Sequence, residues 1–129
     1  MNARPVALIT LASGYVGPPL ARLLAAAGHD LVLHLPNDDQ AMVGRDVDDV
    51  ALVRSLRESG AQVEVITDVD LRSAEGNQAV VDAAINRFGR VDAACFVTGS
   101  IITGKFLGST VAQWDKLKSV NLDLSLIHI

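Results

Sequence analysis

"ITLASGYVGPPLARLLAAAG", residues 9–28, passes from an apolar run through a short loop into a helical pattern. Residues 5–10, "PVALIT", are apolar without alternation, the pattern of a strand covered on both faces. Residues 17–27, "GPPLARLLAAA", predict a helix. Pro18 and Pro19 suit its first turn, where N–H groups have no intrahelical partner. Gly28 is the expected C-cap. A strand–loop–helix junction of this kind often holds a nucleotide phosphate. A phosphate cradle calls for glycine, and here Leu11 and Tyr15 stand instead.

Working outward, "DLVLHL" (30–35) predicts a second strand, and residues 47–59, with Val50, Leu52, Val53 and Leu56 at helical spacing, predict a helix. "AQVEVIT" (61–67) is a third strand. Residues 74–88 predict a helix burying Val80, Val81, Ala84, Ile85 and Phe88, stopped by Gly89. "VDAACFV" (91–97) reads as a fourth buried strand, and a glycine-bearing loop leads to a helix opened by Ser109 or Thr110. Four strand–helix repeats predict an α/β, Rossmann-like doubly wound parallel sheet in the order 3-2-1-4. Ligands of such sheets bind beyond the carboxyl ends of the strands, at the switch between strands one and four. The opening stretch sits there.

The chain has 129 residues, half of them hydrophobic, and a formal charge of −4. That suits one domain with ample core material, and it gives no electrostatic footprint for nucleic acid. No segment has the roughly 18 uninterrupted apolar residues of a membrane span, and no signal peptide is read, so a cytoplasmic protein is expected. The single cysteine, Cys95, reads as a small core hydrophobe. His29 and His34 flank the second strand with no third ligand at metal spacing, so surface or core roles are expected and no metal. His128 is given no role. Strand four is an unprotected edge, and the last helix reaches the terminus without a cap. Residues 1–129 are therefore read as the N-terminal half of a longer protein. The tail "LSLIHI" resembles translated sequencing-adapter read-through, which would make residues from about Ser125 onward non-native.

These pieces resemble the first half of a short-chain dehydrogenase/reductase, over residues 5 to 124. That family's loop, Thr-Gly-x-x-x-Gly-x-Gly, falls on Thr10 to Gly17, with Leu11 and Tyr15 in place of the first two glycines. Leu35 and Pro36 stand where cofactor-selective members carry a charge. The family's adenine-contacting Asp-Leu pair falls on Asp70 and Leu71. Its Asn-Asn-Ala-Gly stretch falls on Phe96, Val97, Thr98 and Gly99, and its helical asparagine on Asn121. Within the superfamily the chain is most similar to the halohydrin dehalogenases, whose loop reads Thr-x4-(Phe/Tyr)-x-Gly. Thr10, Tyr15 and Gly17 fit it, and "RPVALIT", "VTG", "TGKF" and "QW…NLD" resemble the G-type members.

That resemblance implies a halide and substrate pocket at Thr10, Tyr15 and Gly17. It implies no nicotinamide cofactor, because the aromatic ring would occupy the hollow of the diphosphate. It implies conversion of β-haloalcohols to epoxides, and epoxide opening by small anions, through a Ser-Tyr-Arg triad beyond residue 129. This chain alone would then be inactive, and the full-length parent a homo-oligomer whose partners are a small-molecule substrate and a halide, with neither nucleic acid nor membrane. The alternative is an NAD- or NADP-dependent dehydrogenase/reductase with a degenerate loop. Its cofactor would touch Thr10, Ser13, Gly14, Tyr15 and Val16 in the loop, Leu35, Asp70 and Leu71 beyond strands two and three, and Val97, Thr98, Gly99 and Asn121 farther on. A third possibility is an incomplete chain with no function.

Plainer roles stand beside these. Tyr15 could be packing, Gly14 and Gly17 turn formers, and Thr10 a structural hydrogen-bonding residue. Asp68 and Asp70 suit a solvated loop, Lys105 a solvated surface and Trp114 helix packing. Asn121 suits a catalytic or a backbone-fastening role equally.

Overall fold

The computed structural model describes residues 4–36, 48–97 and 106–123. Strands β1 (Val6–Thr10), β2 (Asp30–His34), β3 (Val63–Ile66) and β4 (Ala93–Phe96) alternate with helices α1 (Gly17–Ala26), α2 (Asp49–Glu58) and α3 (Ala74–Phe88), and α4 (Val111–Lys118) follows. All pairings are parallel, and the sheet order is β3-β2-β1-β4. This is the doubly wound arrangement that the strand–helix alternation predicts.

The two central strands are buried along their whole length, which is why their sequences show no polar alternation. Ala7, Ile9, Leu31 and Leu33 face α1 and α2, packing with Ala21, Ala25, Leu52 and Leu56. Val6, Leu8 and Val32 face α3, meeting Val80, Ala84 and Phe88. The caps follow sequence chemistry. Asp48 accepts from the Ala51 amide and Ser73 from the Gly76 amide, opening α2 and α3. Thr110 and Gln113 form a reciprocal capping box on α4. α1 ends at Ala27, and Gly28 follows with φ +92°.

The amino end of the sheet is clamped by carboxylates. Asp30, fully buried, accepts from the Gln62 amide at 2.9 Å and pairs with Arg4 Nε at 3.1 Å. Asp92 accepts from the Val6 amide at 2.7 Å. Its carboxyl is held below the usual range first by Arg90 and then by that amide.

Some expectations need correction. Val81 and Ile85 are exposed, because α3 buries a narrower stripe than its apolar residues cover. β4 is not buried on both faces: Ala94 and Phe96 are exposed while Ala93 and Cys95 are half-buried.

Candidate functional site

β1 delivers the chain to the carboxyl edge of the sheet at Thr10, which is buried. Its hydroxyl accepts from the Val97 amide at 3.0 Å, so the ends of β1 and β4 are tied across the switch point. The next residue leaves the ladder, and its amide needs a partner. His34, at the end of β2, supplies one: Leu11 N–H donates to Nδ1 at 3.1 Å, and Ala12 N–H donates to the His34 carbonyl at 2.9 Å.

The loop then makes two tight turns, with Gly14 N–H donating to Leu11 O at 3.1 Å and Gly17 N–H to Gly14 O at 2.8 Å. Leu11 has φ +46° and Tyr15 φ +53°. Both positions occupy the left-handed region that glycine adopts without cost and other residues rarely visit. The loop therefore keeps the path of a glycine-rich loop with neither glycine present. At Gly17 the requirement is spatial: an added Cβ would lie 2.6 Å from the Ala12 carbonyl carbon. Ser13 is fully buried beneath the loop, and its hydroxyl has no hydrogen-bond partner among the described residues.

Tyr15 is mostly exposed at the surface of this loop, with 73 % of the residue open to solvent. The start of α1 offers few donors of its own. Pro18 and Pro19 have no N–H, and the Gly17 amide is already spent on Gly14.

Leu35 is buried against the α1–α2 face and presents no polar group, and the adjacent Pro36 is buried too. Beyond β3, Asp70 and Leu71 sit where the resemblance places an adenine contact. Leu71 is buried in the α3 face of the core. Asp70 is engaged at both oxygens: Arg72 Nε donates to Oδ1 at 3.0 Å and Nη2 to Oδ2 at 3.2 Å, and the Arg72 amide also reaches Oδ1. That guanidinium holds the Asp70 carboxyl below its usual range. Gly76 lets α3 start tight against this loop, since a Cβ there would lie 2.5 Å from the Asp70 carbonyl carbon.

The structure thus brings Thr10, Ser13, Gly14, Tyr15, Val16 and Gly17 together on one loop, tied to Val97. Thr98 and Gly99 lie outside the described residues, as does Lys105. Asn121 lies in a π-helical turn (Ser119–Asp123), exposed, with its side-chain amide donating to the Leu117 carbonyl at 3.0 Å. Trp114 is mostly exposed rather than packed. Among the described residues no cluster of His, Cys, Asp or Glu could hold a metal ion, and no helix is long and apolar enough to cross a membrane.

His34 is the residue that sequence reading left out of the site. It is fully buried, and burial pushes its imidazole down to about 4, partly offset by the Val69 backbone. The available signal was a polar ring at the carboxyl end of an otherwise apolar central strand.

The residues are compatible with a dinucleotide in shape. The tight path of the β1–α1 loop, leaving the sheet at the switch point, is what a diphosphate-bearing ligand would use.

Comparison with known proteins extends this. Residues 5–128 match the family described as short chain dehydrogenase. A polyketide-synthase ketoacyl reductase of Streptomyces virginiae is 33 % identical over 92 % of this chain and 42 % of its own length. The chain therefore spans less than half the length of that relative. A 3-oxoacyl-[acyl-carrier protein] reductase from Brucella melitensis, solved in complex with NAD, superposes with a TM-score of 0.75 at 29 % identity, over 98 % of this chain and 47 % of its own. A Burkholderia cenocepacia dehydrogenase with bound NADP shares the fold, with a TM-score of 0.81 at 24 % identity over 97 % of this chain and 45 % of its own. These two neighbours were solved with NAD or NADP bound, which overturns the expectation of a cofactor-free branch. The chain belongs to the short chain dehydrogenase family.

Proposed function

We propose that the protein serves an NAD(P)-dependent oxidoreductase that reduces a carbonyl group, with residues 5–128 as its Rossmann-like cofactor-binding unit. The observation that carries this reading is the loop between β1 and α1. Leu11 and Tyr15 hold the left-handed conformation at the two positions where they replace the family's first two glycines. A loop that pays this strain twice is being kept for its shape. The relatives named above are reductases and dehydrogenases, which supports the same class.

When bound, the nicotinamide supplies a hydride to the carbonyl carbon. The chain's own residues do the holding. The backbone around Tyr15 and Val16 would border the diphosphate and Asp70 the adenine, while the Thr10–Val97 tie holds the ends of β1 and β4 together. Asn121 fastens the α4 turn. The only tyrosine in the sequence is Tyr15, so a separate catalytic tyrosine has to come from outside these residues. The setting we propose is cytoplasmic, with a small-molecule substrate and a homo-oligomeric whole protein.

Titration with NADH and with NADPH, read by cofactor fluorescence, tests this reading. Saturable binding of either supports it, and no binding of either at millimolar concentration rejects it.

A second reading rests on one observation, the exposed aromatic residue at position 15 in the loop at the carboxyl edge of the sheet. In this reading Thr10, Tyr15 and Gly17 border a site for a small anion, and the whole protein interconverts β-haloalcohols and epoxides. Halide release from a β-haloalcohol by the whole protein would favour it over carbonyl reduction.

A further inference from the structure

A loop that holds two non-glycine residues at positive φ needs something to hold it. Each such residue is strained, and nothing in Leu11 or Tyr15 themselves recovers that cost. The structure shows one group beneath the loop that is placed to do so. His34 ends β2 directly beside the point where β1 gives way to the loop, and its ring is completely buried. Nδ1 accepts the Leu11 amide at 3.1 Å, and the same residue's carbonyl accepts the Ala12 amide at 2.9 Å. Two consecutive amides that have left the sheet are thus captured by one residue. An imidazole that accepts at Nδ1 carries its proton on Nε2. The Val69 backbone also bears on the ring. Val69 belongs to the β3–α3 loop, which carries Asp70. The ring therefore stands between the two loops that border the cleft.

We propose that His34 is a positioning residue: its neutral imidazole, fixed as an acceptor under the β1–α1 loop, sets the backbone path of Leu11 and Ala12 and so the shape of the ligand site above them. The role needs an acceptor at the place of Nδ1, and it does not need a charge or a ring. Asparagine can supply such an acceptor from its side-chain oxygen. Leucine fills similar volume and leaves the Leu11 amide buried without a partner.

The ligand-binding consequence rests on the dinucleotide reading above, and the backbone consequence does not, so the experiment has two arms. In the first, backbone amide exchange is followed by NMR without ligand. The Leu11 amide should be protected in the wild type and in His34→Asn. It should exchange at least about tenfold faster in His34→Leu, while core amides such as that of Leu8 keep their protection. Equal protection of Leu11 in His34→Leu would overturn the proposal. Should that variant not fold, the wild-type imidazole decides the matter: nitrogen shifts showing Nε2 protonated and Nδ1 bare at pH 7 support the assignment, and the opposite tautomer refutes it. In the second arm NADPH is titrated. His34→Leu should bind about tenfold more weakly than the wild type and His34→Asn within about threefold. A folded His34→Leu of unchanged affinity counts against the proposal. Absence of NADPH binding to the wild type would reject the dinucleotide reading and leave the first arm to decide the role of His34.

Discussion

Thr10 and Val97 lie 87 positions apart in sequence, and the amide of one donates to the hydroxyl of the other at 3.0 Å. The bond joins the last residue of β1 to the first residue after β4, at the point where the sheet changes winding direction. The link is made by a side chain, just beyond the last ladder pair, Thr10 with Phe96.

Removing that hydroxyl should therefore cost more than an average surface change. Thr10→Val keeps the shape and leaves the Val97 amide without its acceptor in a half-buried site, at an expected loss of about 1–3 kcal/mol. Thr10→Ser should lose less. Urea unfolding of the three proteins checks this, and equal midpoints for Thr10→Val and wild type would refute it.

Tyr15 offers a change in the opposite direction. Its side chain is mostly exposed, so little packing is lost on its removal, while its φ of +53° is free of strain only for glycine. Tyr15→Gly should stabilise the fold by up to about 1 kcal/mol, the relieved strain exceeding the added freedom of the unfolded chain. Tyr15→Val, a β-branched residue at the same φ, should destabilise it. Thermal unfolding of both variants reads the sign directly.

The buried imidazole makes stability depend on pH. His34 in the folded protein titrates at about 4, below the ordinary histidine value of 6.5. The unfolded chain therefore takes up its proton first as pH falls. Stability should be unaffected by this residue above about pH 6.5, decline between roughly 6.5 and 4, and level off below, with a total on the order of 3 kcal/mol. Asp70 and Asp92, whose carboxyls are held low by Arg72 and Arg90, add losses only at still lower pH. Melting temperatures from pH 7.5 to 4.5 should fall in the wild type and fall less in His34→Asn. Parallel curves for the two proteins would show that another group is responsible.

Much of the fold was legible in the residues. "PVALIT" and "DLVLHL" lack alternation because both faces of β1 and β2 are covered, and glycine at 28, 60 and 89 marks the helix ends through φ of +92°, +98° and +75°. The side-chain periodicity of α2 and α3 was less informative, since it shows which residues are apolar and not how wide a stripe the sheet can cover. β4 misled for a related reason: its composition is that of a central strand, while its α3 side has no covering helix among the described residues. At the site, the substitution of two glycines was visible and its consequence was not. Residue type cannot tell whether a loop changes path to suit its side chains or keeps its path under strain. The positive φ of Leu11 and Tyr15 points to the second outcome. His34 was hidden as well, because a histidine at the end of a strand carries no sign of which amide it will accept.

The most direct test of the account is to add NADPH or NADH to the ¹⁵N-labelled protein and map which backbone amides move. The account predicts saturable shifts concentrated at residues 11–17, at Asp70 and at Val97, with the helix faces away from the strand ends unchanged. Saturable shifts elsewhere, or none at millimolar concentrations of both cofactors, would contradict it.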